Sequence, residues 1–180
     1  FGYMVELYEN FTYQETKNQL EEIKRDETLC SLLIVVLSHG ISRNHFYTSD
    51  GKIYDFIKMK RKFTDASCPS LRGKPKILMG SFCRGSDIEL VTDEVTQVTK
   101  TYEVPHHMVT IYASQEDIKA KRHIQKGTIF ISSLCSVLKE NPNEKLIDLL
   151  DKLAKEMVKR RGTTPQWVTD PPSITNFSFA

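Results

Sequence analysis

The stretch KPKILMGSFCRG (residues 74–85) runs a short apolar segment into a cysteine, with an arginine and a glycine directly behind it. Two further segments share its character. CSLLIVVLSHG (30–40) ends in serine, histidine and glycine, and HMVTIYAS (107–114) follows later in the chain. Each is about one strand long and apolar without alternation, the pattern of strands covered on both faces of a sheet. Helical periodicity precedes and follows them. Tyr13–Arg25 sets Thr16, Leu20 and Ile23 on one side of a helix. EKLIDLLDKLAKEMVKRR (144–161) repeats Leu146, Leu150, Leu153 and Met157 with charges opposite, and Gly162 ends it. Strands alternating with helices predict an α/β layered fold with a largely parallel sheet.

The remaining segments fit around that frame. GYMVELYEN (2–10) reads as the end of a strand entering a loop. HFYTSDGKIYDF (45–56) places Asp50-Gly51 between aromatic and β-branched residues, a two-residue hairpin turn signal. Residues 57–63 form a short helix, and 127–141 turn helical from about Ile129, with Asn143 as a cap. PQWVTDPPSITNFSFA (165–180) closes the chain with one or two β-like pieces around a Pro-Pro break.

Composition narrows the function. The chain has 180 residues, enough for one domain with a proper core. Net charge is +2 with both signs interspersed, so nothing requires a nucleic acid or an acidic membrane; the basic runs at 58–62 and 159–161 read as solvated helix faces. The longest apolar stretch is the six-residue LLIVVL, far short of the about 20 residues a membrane-spanning helix needs. No charged-then-apolar leader opens the chain. Cys30, Cys68, Cys83 and Cys135 form no CxxC pair and no dense framework, which suits free thiols in a reducing compartment and hence the cytoplasm. No metal or cofactor is called for.

Ligands of parallel sheets bind beyond the carboxyl ends of the strands. Two apolar runs end there in reactive residues: one in Ser38-His39-Gly40, the other in Cys83-Arg84-Gly85. On neighbouring parallel strands, His39 and Cys83 share one edge of the sheet. A thiol beside an imidazole makes a nucleophile, because the thiolate reacts and the base generates it. Gly40 keeps the backbone clear beside His39, so that an amide can face a developing oxyanion. Taken alone, a cysteine at a strand end is more often packing, and a histidine more often a surface residue. Their matched positions, 44 residues apart (83 − 39), speak for chemistry.

These residues carry a family resemblance. A cysteine followed by arginine and glycine, with a histidine some 50 residues upstream, resembles the caspase signature. The series SHG, GKPK, CRG and FISSLCSVL stands in the order of the family's large- and small-subunit blocks. The SFCRG variant is similar to the insect Dronc-type initiator caspases. The resemblance implies a caspase-like three-layer fold, with helices flanking a mostly parallel central sheet. It implies one catalytic domain over 1–180, divided into a large-subunit part (1–85), an intersubunit linker (86–106) and a small-subunit part (107–180). On this resemblance the family's first strand and helix, and any recruitment domain, are expected to fall before Phe1.

By the same resemblance the function is a cysteine endopeptidase cleaving after acidic residues in apoptosis, an initiator present as a zymogen. Cys83 is then the nucleophile, His39 the general acid/base, and the Cys83 and Gly40 amides the oxyanion hole. Arg122 stands where the family's pocket arginine falls, matching a substrate carboxylate with its guanidinium. Asp87 and Asp93 are candidate processing positions in the linker, Glu94 and Glu103 weaker ones. Implied partners are protein substrates including downstream caspases, a second copy of the chain pairing a strand near Trp167, an apoptosome-type adaptor and inhibitor-of-apoptosis proteins.

Three departures from the family pattern bear on activity. Ser81 replaces its glutamine, Ala120 and Lys121 replace the aromatics before the pocket arginine, and a second pocket arginine would lie before Phe1. A catalytically weak pseudo-caspase regulating a partner caspase is therefore the alternative. A non-peptidase binding domain with a structural Cys83 is a third.

Overall fold

In the computed structural model the described residues are 2–85, 105–117, 122–123, 127–160, 162–170, 174 and 176–179, with the backbone alone at 122, 123 and 170. Helix α1 (Tyr13–Arg25) opens on a capping box: the Thr12 hydroxyl accepts the Glu15 amide, and the Glu15 carboxylate accepts the Thr12 amide. Strand β1 (Leu32–Leu37) follows. A small antiparallel sheet comes next, made of β2 (Gly40–Ser42), β3 (His45–Tyr47) and β4 (Ile53–Asp55). Helix α2 (Phe56–Arg61) is capped by the Asp55 carboxylate, and a 3-10 turn spans Pro69–Leu71. Then come β5 (Lys76–Ser81), β6 (Met108–Tyr112), the short pair β7 (Arg122–His123) and β8 (Gly127–Thr128), helices α3 (Ile129–Glu140) and α4 (Leu146–Lys159), and β9 (Gln166–Asp170).

The main sheet has the order β1-β5-β6-β9. The first three strands are parallel and β9 runs antiparallel to β6. Alternate residues divide the core between the two faces. Ile77, Met79, Val109 and Ile111 pack against Phe130 and Val137 of α3 and against Leu146, Leu150, Leu153 and Met157 of α4. Leu78, Met108 and Tyr112 pack on the other face with Leu20 of α1, Phe46, Tyr54, Phe56 and Met59. The largely parallel α/β layering expected from the run pattern is the one formed, and helices cover both faces of the sheet as the family resemblance implies. The α4 stripe is buried as its 3.6-residue period demands.

Three local expectations are corrected. β5 and β6 are wholly buried, but β1 pairs with β5 alone among the described residues and leaves Val35 41% and Leu37 57% exposed. An unbroken apolar run does not reveal whether both neighbouring positions in a sheet are filled. Residues 2–9 form no strand, and Met4, Val5 and Leu7 are exposed. The hairpin loop has three residues, not two: the Thr48 amide donates to the Lys52 carbonyl, enclosing Ser49-Asp50-Gly51, and Gly51 takes the left-handed conformation that closes such a loop (φ +73°). No helix among the described residues is long and apolar enough to cross a membrane.

Candidate active site

Strand register decides what stands at the carboxyl edge of the sheet. Leu37 of β1 is the partner of Ser81 in β5, and the Ser38 amide donates to the Ser81 carbonyl at 3.3 Å. His39 and Cys83 therefore each lie two residues past the same rung of adjacent parallel strands. His39 is exposed and Cys83 half-buried. The His39 carbonyl accepts the Tyr47 amide at 2.9 Å and the Ser38 hydroxyl donates to the Tyr47 carbonyl at 2.6 Å, so β3 holds the backbone on the histidine side.

Gly40, the first residue of β2, lies directly against Cys83. A Cβ at position 40 would overlap the Cys83 carbonyl oxygen and stand 2.8 Å from the Cys83 amide nitrogen. Only glycine permits that approach. Ser81, the last residue of β5, is buried, and its hydroxyl has no hydrogen-bond partner among the described residues.

Arg84, directly after the cysteine, is a residue whose place composition does not reveal. It is 2% exposed, although arginine is almost never buried without partners. Its Nε donates to the Arg43 carbonyl (2.8 Å), one Nη to the Gln166 side-chain oxygen and the Ser114 carbonyl (3.5 Å), and the other Nη to the Glu116 carboxylate (3.1 Å). The guanidinium carbon sits 3.8 Å over the Tyr112 ring. One side chain thus ties the turn after β5 to the ends of β6 and β9 and to the β2–β3 connection. An open cleft of about 330 Å³ beside it is lined by Gln115, Glu116 and Gln166, and takes in neither Cys83 nor His39. Burial in a sequence position that reads as surface polar gives no signal in a single chain; only the packed ends of four elements make this site.

The other expected residues are less fully placed. Arg122 opens β7 and pairs in backbone register with Thr128, within the connection that leaves the carboxyl end of β6. Asp87, Asp93, Glu94 and Glu103, with Ala120 and Lys121, lie outside the described residues.

Comparison with known proteins agrees with this architecture. The family model for the caspase domain, Peptidase_C14, matches residues 1–173. Caspase-2 of Gallus gallus is 25% identical over 187 residues, covering 91% of this chain and 44% of its own length. Caspase Dronc of Drosophila melanogaster is 26% identical, covering 72% of this chain and 35% of its own length. The chain thus spans less than half of each of these relatives. The crystal structure of caspase-1 from Spodoptera frugiperda superposes with a TM-score of 0.78 at 19% identity, covering 93% of this chain and 71% of that one, a likeness of fold.

Proposed function

The chain belongs to the caspase domain family, and on that premise we propose that it is a cysteine endopeptidase cleaving after acidic residues, of the initiator type and cytoplasmic. The observation that carries the reading is the register of β1 and β5, which delivers His39 and Cys83 to one edge with Gly40 against the cysteine backbone. In this reading His39 takes the thiol proton and Cys83 Sγ attacks the scissile carbonyl carbon. The oxyanion is met by the amides of Gly40 and Cys83, and His39 returns the proton to the leaving amine. Water then releases the acyl group from sulfur. Arg122 holds the substrate carboxylate, and Ser81 stands where the family's pocket glutamine falls.

The domain division follows the family: residues 1–85 and 107–180 are the two subunit parts, joined by the linker 86–106, which is cut at Asp87 or Asp93. β9 is the last strand of the sheet among the described residues, with Val168 exposed, and supports pairing with a second copy on activation. Protein substrates including downstream caspases, an apoptosome-type adaptor and inhibitor-of-apoptosis proteins complete the proposal.

The test is hydrolysis of fluorogenic tetrapeptides ending in Asp, Glu or Ala, by wild type and Cys83→Ala, in kosmotropic salt that favours association. Cleavage after an acidic residue, lost in Cys83→Ala, is expected. A folded dimer that cleaves none of them supports instead the weak regulatory member, for which the serine at position 81 is the argument.

A further inference from the structure

Phe82, the residue before the thiol, is 1% exposed. Its ring folds back over Gly80: a Cβ at position 80 would stand 2.7 Å from one ring carbon and 3.1 Å from the next. Phe46 lies 5.6 Å away between ring centroids, and Phe56 and Tyr112 meet the ring edge-on at 5.4 and 6.4 Å. A planar side chain with two rotatable bonds, seated in such a slot, leaves its own Cα little freedom. Cys83 is bonded to that residue.

The Phe46 contact gives the slot its consequence. Phe46 is the β-partner of Gly40, and the next residue, Tyr47, holds the His39 carbonyl. Gly40 in turn lies against Cys83. Gly40, Phe46, Phe82 and Cys83 therefore close a circuit: strand pairing, ring contact, peptide bond, backbone contact. One side of the circuit carries the imidazole and the other the thiol.

We infer that Phe82 is a positioning residue, which through its contact with Phe46 and its seat on Gly80 holds the Cys83 thiol in register with His39. The inference rests on the reading of Cys83 and His39 as nucleophile and base. A smaller side chain at 82 lets the Cα drift, and misplacing a reacting atom by 1 Å costs about 10²-fold in rate. Alanine at position 80 does the same by another route, because its methyl drives the ring out of the slot.

The test uses the full chain and two readouts. The first is the rate of Cys83 alkylation by iodoacetamide, followed by mass spectrometry with the exposed thiols Cys30 and Cys135 as internal standards. The variants are Phe82→Leu, Gly80→Ala and their double, each with and without His39→Ala. Phe63→Leu, at a buried phenylalanine of the same core with no part in the circuit, is the control for lost packing. The expected result is a Cys83 rate about tenfold lower in Phe82→Leu and Gly80→Ala, no longer dependent on His39, with unchanged standards. The double variant should be no worse than Phe82→Leu alone, since the added methyl has lost its obstacle. Phe63→Leu should leave the rate alone. The second readout is peptide hydrolysis, where kcat falls about 10²-fold and KM holds.

A folded Phe82→Leu protein that keeps the wild-type rate and its His39 dependence overturns the inference. So does an equal loss in Phe63→Leu. Wild-type alkylation that ignores His39→Ala overturns it as well, since there is then no pairing to maintain. A wild type silent toward peptides, whose His39-dependent alkylation still responds to Phe82, sinks the protease reading while supporting the positioning role.

Discussion

Gly40 and Cys83 are in backbone contact across the carboxyl edge of the sheet, so close that a methyl group on residue 40 would occupy the space of the Cys83 carbonyl. The contact joins two segments 43 residues apart in sequence (83 − 40). It is possible because parallel β1 and β5 end on the same rung, and because β2 begins at Gly40, immediately after His39.

Gly40→Ala is therefore expected to fold, with β2 displaced from the cysteine. With the Gly40 amide as the proposed oxyanion donor, its loss costs about 10² to 10³ in kcat. Peptide hydrolysis by the variant should fall by that factor while far-UV circular dichroism stays near wild type. Retained hydrolysis would place the oxyanion site elsewhere.

Arg84→Met should destabilise the chain by about 3 kcal/mol in urea unfolding, since it strips charged hydrogen bonds from the Arg43 and Ser114 carbonyls and from Gln166. Glu116→Gln should cost less, because that carboxylate is 40% exposed and its ion pair is screened by water. Arg84→Lys should not restore stability. A single ammonium cannot reproduce the guanidinium fork or lie flat on Tyr112.

Lys76, wholly buried at the start of β5, donates to the Asp65 carboxylate at 3.0 Å and to the Leu71 carbonyl at 2.9 Å. Burial pushes the Asp65 carboxyl up, but the Lys76 ammonium and hydrogen bond outweigh it and hold the group below its ordinary value of 3.8. A depressed folded value means that the stabilisation is complete above about pH 4 and is lost as pH falls through the folded value. Asp65→Asn should cost about 3 kcal/mol or more at pH 7, because it leaves a buried ammonium without its counter-charge. The gap between variant and wild type should narrow below pH 4. A gap independent of pH down to 2 would contradict the assignment.

The Asp50 carboxylate accepts the Thr48 hydroxyl at 2.6 Å and the Tyr13 amide at 3.1 Å, linking the hairpin loop to the first turn of α1. The hydroxyl bond is the main reason its pKa is lowered to about 2. Carbon-detected NMR titration of Asp50 should give that value in wild type, and one closer to 3.8 in Thr48→Val.

Much of this was readable in one dimension. The segment Tyr13–Arg25 is helical to the residue, as the spacing of Thr16, Leu20 and Ile23 predicts, and a local capping box of Thr12 and Glu15 fixes its start. The α4 stripe, the two buried central strands and the hairpin followed from period and turn chemistry. His39 and Cys83 could be paired because residues two past the ends of parallel strands must share an edge. The exposure of β1 could not be read, nor the three-residue loop, because each depends on what lies alongside rather than on the run itself. In the sequence Arg84 reads only as a basic neighbour of the cysteine and Phe82 only as the last apolar residue of a run.

The difference is one of range. Hydrophobic period, caps and turns act between residues a few positions apart, so the amino-acid sequence alone determined the main helices and buried strands, their order and the candidate residues at their ends. Register across strands, the glycine pressed on the cysteine backbone, the ring seated on Gly80 and the buried guanidinium join residues tens of positions apart. Those were decided by close packing in three dimensions, where shape and unsatisfied polar groups, rather than spacing, determine which residue fits.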